Sequence, residues 1–296
     1  GIVAELRDLR VRSLESRQRR DRPPKLPSRK VLVGIVDGLA AAMFPNRLGM
    51  PGLGDEGLDY YVGHTLDVAL RELHGQVSRE LHFVSGEELI TSADRERALE
   101  ITHKFASTLP VVRALLDTDI IAAYEGDPAA HSVDEVLVCY PGIAAMTHHR
   151  LAHELNRLGV PLLARMIAEI AHSATGIDIH PGAKIGESFF IDHGTGVVIG
   201  ETTVIGRHVR LYQAVTLGAK RFEVGEDGTL VKGAARHPIV EDDVVIYAGA
   251  TILGRVTIGR GSTIGGNVWL TRSVPPGSNV TQAQVRNDLF DGGAGI

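Results

Sequence analysis

The sequence has 296 residues, 44% of them hydrophobic and 23% charged, with a formal net charge of −5. This leaves room for one large or two ordinary globular domains, and the acidic balance argues against a nucleic-acid binder. No apolar run is long enough to cross a bilayer. The single cysteine, Cys139, cannot close an internal disulfide, which fits a reducing, cytoplasmic setting.

Residues 1–30 form a basic arm containing Arg19, Arg20, Arg22, Arg29 and Lys30. Acids are interspersed (Glu5, Asp8, Glu15, Asp21) and there is no apolar signal core, so neither a signal nor a transit peptide is the simplest reading. A solvated, partly helical arm ending at Pro23-Pro24-Lys25-Leu26-Pro27 is expected. From residue 31 to about 175 apolar residues recur at helical spacing. Val62, Leu66, Ala69, Leu70 and Leu73 mark one stripe, and Ala98, Ile101, Phe105 and Leu109 another. Pro110 is expected to break or kink the second, which resumes at Val111, Leu115 and Leu116. The stretch from Ile143 to Ala171 reads as two helices divided at Gly159-Val160-Pro161.

After residue 176 the period becomes six. Aliphatic residues stand at Ile179, Ile185 and Ile191; the row slips by two and continues at Ile199, Ile205, Leu211 and Leu217. A loop from Lys220 to Pro238 interrupts it, and it returns at Val240, Ile246, Ile252, Ile258, Ile264 and Leu270. A helix cannot keep such a row on one face, since six residues rotate it by about 600°. A β-solenoid can, with each hexad one short side and its aliphatic residue in the shared core. Residues 176–277 are therefore expected to form the solenoid, and 278–296 a C-terminal tail.

The hexads resemble those of the hexapeptide-repeat acyltransferases, and the resemblance implies a left-handed parallel β-helix assembled as a trimer. It narrows on Asp178-Ile179-His180-Pro181-Gly182, on Ile191-Asp192-His193-Gly194-Thr195-Gly196, on Val215-Thr216-Leu217-Gly218, on Arg236-His237-Pro238 and, in the helical half, on Asp127-Pro128-Ala129. This ordered set resembles the serine O-acetyltransferases over most of residues 55–275. It implies transfer of acetyl from the co-substrate acetyl-CoA to the hydroxyl of L-serine, giving O-acetyl-L-serine in the first step of cysteine biosynthesis, with no tightly bound cofactor and no metal. It also implies feedback by cysteine at the serine site and a homotrimer or dimer of trimers.

A serine hydroxyl needs a base as it attacks a thioester. By motif match that base is His193, with Asp178, fifteen residues earlier, as the carboxylate orienting its ring. Asp127 and Asp192 match the family's substrate aspartates and suit an ammonium. Arg236 offers a planar fork for a carboxylate, and His237 a further donor. The resemblance places the oxyanion donor at the backbone of Ala219, after Gly218, and the pantetheine arm of CoA past Ala248 and Gly266. Arg221, Phe222 and Lys232, in a loop longer than in compact members, could cover the site or meet CoA phosphates. The tail lacks the Gly-x-Pro-Ala-Arg ending common in the family. Its terminal Ile296 resembles the residue by which family members enter the O-acetylserine sulfhydrylase; a frayed terminus is the plain alternative.

His148, His149 and His153 read as a solvated helix face, although the last two have metal-compatible spacing. Trp269 reads as packing. Three rivals stay open: another hexapeptide-repeat acetyltransferase, a zinc hydratase of the γ-carbonic-anhydrase type using His180, His193, His208 or His237, and a non-catalytic scaffold.

Overall fold

The computed structural model describes residues 1–16, 25–86, 89–221, 225 and 228–282. The tail with Ile296, the arginines Arg19, Arg20 and Arg22, and Phe222 lie outside them. Among the described residues eight helices come first: α1 Ile2–Ser16, α2 Arg29–Met43, α3 Pro45–Leu48, α4 Asp55–Ser85, α5 Ser92–Gly126, α6 Val133–Cys139, α7 Pro141–Arg157 and α8 Pro161–Thr175. Among the described residues no helix is long and apolar enough to cross a membrane.

The chain divides into two compact units. One holds Gly1–Ala114 and Met146–Ala171, the other Leu115–Ala145 and His172–Ile296. In the first unit α2 packs on α4, with Leu32, Ile35, Val36 and Leu39 of α2 and Ala69, Leu73 and Val77 of α4 buried. The start of α8 is capped from a distance: the Glu80 carboxylate accepts the Leu162 and Leu163 N–H groups at 2.8 Å each. Those amides have no acceptor within the helix. Gly159, with φ +86°, makes the turn between α7 and α8, where the division was expected. His149 is buried rather than solvated, and its ring lies 5.7 Å from that of His153. The solvated-face reading is corrected at His149, which lies on the buried stripe of α7.

Pro110 does not end α5, which runs through it. Proline removes one helix hydrogen bond, the one to the Ala106 carbonyl, and crowds that carbonyl, but the rest of the ladder is kept. Nearby hydroxyls take up carbonyls of the same helix, with Ser107 donating to Lys104 and Thr108 to Phe105 at 2.7 Å each.

The second unit is a parallel β-solenoid. Its strands are β1 Asp178–Ile179, β2 Lys184–Ile185, β3 Phe190–Ile191, β4 Val198–Ile199, β5 Val204–Ile205, β6 Arg210–Leu211, β7 Thr216–Gly218, β8 Ile239–Val240, β9 Val245–Ile246, β10 Thr251–Leu253, β11 Thr257–Ile258, β12 Thr263–Ile264, β13 Trp269–Leu270 and β14 Asn279–Val280. They stack as three faces: β1-β4-β7-β10-β13, then β2-β5-β8-β11, then β3-β6-β9-β12-β14. Every aliphatic residue of the six-period row falls in a strand, and most, from Ile179 to Ile264, are buried. A second inward row two residues earlier (Ala183, Phe189, Val197, Val215, Val244, Ala250) completes the core. Trp269 is a correction: it stands on the outer side of the first face and is 70% exposed.

The end of α5 belongs with the solenoid. Thr118 Oγ1 and Asp119 Oδ1 accept the Ser188 and Phe189 N–H groups, each at 2.9 Å, at the corner before β3. Gly142, at the start of α7, lies so close to the Ile191 carbonyl that a Cβ there would collide with it.

Candidate active site

The two-residue slip in the hexad row is an enlarged corner. Asp178 pairs with Val198, twenty residues on, whereas Val198 pairs with Thr216, eighteen on. The extra length falls in Asp192–Gly196. His193 sits at φ +59°, Gly194 at +88° and Gly196 at +82°. A side chain at 194 would also strike Ile177, so glycine is required there. The bulge is tied down by Gly194 N–H to Asp192 O at 2.7 Å and Gly196 N–H to Gly176 O at 2.8 Å. The His193 side chain is thereby thrust outward, 72% exposed. Asp192 stays largely buried beneath it, with Oδ1 3.8 Å from His193 Nε2.

The end of α5 brings Asp127 to the same corner. Its Oδ1 accepts the Ala129 N–H at 2.8 Å and its Oδ2 accepts the Tyr140 hydroxyl at 2.6 Å. These bonds hold the carboxyl below its ordinary range, the Tyr140 bond most strongly, and His193 and Arg210 act in the same direction. Tyr140 answers by moving up to about 12, first because the hydrogen bond to Asp127 favours its protonated form. Arg210, on β6, donates to Asp192 Oδ2 at 2.6 Å and to Gly126 O at 2.7 Å. Neither Tyr140 nor Arg210 was singled out from the sequence. An arginine among the outward residues of the third face (Phe190, Arg210, Val245, Thr263, Asn279) was the available signal.

Arg236 and His237 lie at a different corner, between the first and second faces. Thr202 organises them: its Oγ1 accepts the Arg236 N–H at 2.9 Å and the His237 N–H at 3.1 Å. His237 Nδ1 accepts the Thr202 N–H at 3.1 Å, which leaves Nε2 as the protonated nitrogen of the neutral ring. The ring lies against Gly200, where any Cβ would overlap it. Burial, followed by the charge of Arg236, pushes the imidazole down to about 4, so His237 is a neutral donor at pH 7. Arg236 Nη2 pairs with Glu201 at 2.6 Å. Burial is the largest single influence on the Glu201 carboxyl and lifts it, but the Arg236 bond and the charges of His180, Arg236 and His237 together carry the net shift downward.

The chain thus brings Asp127, Asp192 and His193 together at one corner and Arg236 with His237 at another. One side of the coil separates them, roughly 20 Å of extended backbone. Asp178 begins β1 and makes no hydrogen bond to His193 among the described residues. Gly218 closes β7 and its carbonyl accepts the Gly254 N–H at 2.9 Å, with Ala219 next. Beside it a cavity of about 440 Å³ is lined by four cations, Lys220, Arg221, Arg236 and Arg255, with Leu253 and Val256. Ala248 and Gly266 adjoin each other on successive coils: an added Cβ on Gly266 would lie 3.3 Å from Ala248 O. They belong to the corner column of His193, through the bonds Ala214 N–H to Thr195 O, Gly249 N–H to Gln213 O and Asn267 N–H to Ala248 O.

Residues 237–272 match the family model described as bacterial transferase hexapeptide (six repeats). Over 275 residues the chain is 60% identical to a plasmid serine acetyltransferase of Synechococcus elongatus, covering 92% of this chain and 86% of that one. The chain belongs to the serine acetyltransferase family. Serine acetyltransferase isoform 3 of Entamoeba histolytica, solved in complex with cysteine, superposes with a TM-score of 0.73 at 34% identity, over 92% of this chain and 87% of that chain. The Neisseria gonorrhoeae serine acetyltransferase in complex with serine gives 0.55 at 27% identity, over 86% and 95%. Family membership carries with it the left-handed parallel β-helix expected from the hexads, and decides against the hydratase and scaffold readings.

Proposed function

We propose that this serine acetyltransferase transfers acetyl directly from acetyl-CoA to the hydroxyl of L-serine, at a site completed by two copies of the chain. His193 removes the hydroxyl proton as the serine oxygen attacks the thioester carbonyl. The C–S bond then breaks and the proton passes from His193 to the CoA sulfur. Asp178 is the carboxylate that stabilises the imidazolium once the exposed ring turns towards β1. Asp127 and Asp192 hold the serine ammonium. Arg236 and the Nε2–H of His237 hold its carboxylate. The Ala219 amide faces the developing oxyanion.

The ammonium and carboxylate subsites sit at different corners of one solenoid, too far apart for one serine molecule. A threefold assembly of solenoids through their faces would set one corner of each chain against another corner of its neighbour. The exposed Val198 and Trp269 on the first face supply apolar surface for that packing. The cationic groove of Lys220, Arg221 and Arg255 suits the phosphates of CoA. Ala248 and Gly266, small residues in the His193 column, would let the pantetheine arm approach. Cysteine has the same ammonium and carboxylate as serine, so it would occupy the same subsites and act as a feedback inhibitor.

The observation that carries this reading is the enlarged corner that presents His193 beside Asp192 and Asp127. The test is thiol release from acetyl-CoA with a panel of amino acids, with His193→Ala alongside. Release with L-serine, lowered by about 10²–10⁴-fold in the variant, supports the assignment. Turnover of another amino acid in place of serine, or an unimpaired variant, would overturn it.

A further inference from the structure

Asp127 and Asp192 reach the same corner from unrelated parts of the chain, one from the end of a helix and the other from a solenoid turn. A single guanidinium joins the two segments. Arg210 Nη2 lies 2.6 Å from Asp192 Oδ2, and Nη1 lies 2.7 Å from the carbonyl of Gly126, the residue before Asp127. The guanidinium is also held by its faces, 4.8 Å from the Phe190 ring centroid and 4.6 Å from that of Tyr212. Tyr212 in turn stacks on Tyr247 at 5.0 Å. Gly126 lets the Phe190 ring lie close against the chain. A Cβ there would come within 3.0 Å of Phe190 and 3.7 Å of Arg210 Nη1.

We propose that Arg210 is the positioning residue of the ammonium subsite, a proposal that rests on Asp127 and Asp192 binding the serine ammonium. Two carboxylates aimed at one cation repel each other. Arg210 offsets one of the two charges, so that the pair presents about one net negative charge to a monocation. Its fork takes an oxygen of Asp192 with one nitrogen and the Gly126 carbonyl with the other, which sets the spacing of the two acids. The aromatic rings keep the guanidinium from following the substrate. Lysine has one point of charge and no fork, so it can replace the charge but not the spacing.

The test is steady-state kinetics of the full chain with serine and acetyl-CoA varied separately, for Arg210→Gln, Arg210→Lys, Asp192→Asn and the double variant Arg210→Gln/Asp192→Asn, each checked for its melting temperature. Arg210→Gln is expected to raise the serine KM by about tenfold and leave the acetyl-CoA KM within about twofold. Arg210→Lys falls between it and the parent. The double variant is no worse than the poorer single one, because the arginine acts through Asp192. Equal shifts in both KM values, a lowered melting temperature with the serine KM unchanged, or effects that multiply in the double variant would mark a purely structural arginine and overturn the proposal. A raised serine KM in Asp192→Asn with none in Arg210→Gln would sink the role of Arg210 alone. An unchanged serine KM in Asp192→Asn would instead remove the ammonium subsite, and this proposal with it.

Discussion

Tyr140 donates a 2.6 Å hydrogen bond to Asp127 across a chain separation of thirteen residues. The bond spans the connection from α5, past α6, to the residue before α7, and it fixes which way the Asp127 carboxylate faces. Tyr140→Phe removes only the hydroxyl. One hydrogen bond to a charged acceptor is lost, so kcat/KM for serine should fall by about tenfold or more. The Asp127 carboxyl should rise towards its ordinary range, so the deficit should widen as the pH is lowered. A pH series of kcat/KM for both proteins checks this; equal activity throughout would show that the tyrosine is idle.

Gly200 leaves the space that the His237 ring occupies. Its φ is not in the left-handed region, so alanine is allowed by the backbone and the effect of Gly200→Ala is purely steric. Overpacking of this kind costs about 1–3 kcal/mol. The ring must shift, and with it the donor proposed for the serine carboxylate. A raised serine KM with a lower melting temperature is expected, and an unchanged serine KM would separate His237 from the substrate.

His237 is held down to about 4 from a usual 6.5. Between these values the unfolded chain binds a proton that the folded chain refuses. The stability associated with the neutral ring is therefore complete above pH 6.5 and declines as the pH falls towards about 4. Melting temperatures from pH 7.5 to 4.5, for the parent and for His237→Asn, should show the shallower acid decline in the variant.

Glu80 is 1% exposed and caps two amides at the start of α8. Glu80→Ala leaves both amides without a partner, one of them fully buried, and should cost about 2–3 kcal/mol. Glu80→Gln retains an acceptor and should lose less. Burial raises the Glu80 carboxyl despite the two amide bonds. Between 4.5 and its raised value this group alone makes the fold less stable as the pH rises, opposite in sign to His237. Urea unfolding of the parent and the two variants orders the three; equal midpoints would remove the cap from the account.

The solenoid core was legible in the sequence. Each aliphatic residue of the six-period row, from Ile179 to Leu270, occupies a strand, because a six-residue period ties a side chain to one face of a coil whatever surrounds it. The two-residue slip after Ile191 marked the enlarged corner for the same reason: an interruption of a regular repeat is itself a local signal. The outward and polar relationships were not legible. Arg210 with Gly126, Thr202 with His237 and Glu80 with Leu163 are joined across 84, 35 and 83 residues, by single bonds that leave no period behind. Nor could the helical stripes tell that α5 gives its end, with Asp127, to the solenoid. Repeating geometry writes itself along the chain, whereas a hydrogen bond between docked elements exists only after the fold has brought its two ends together.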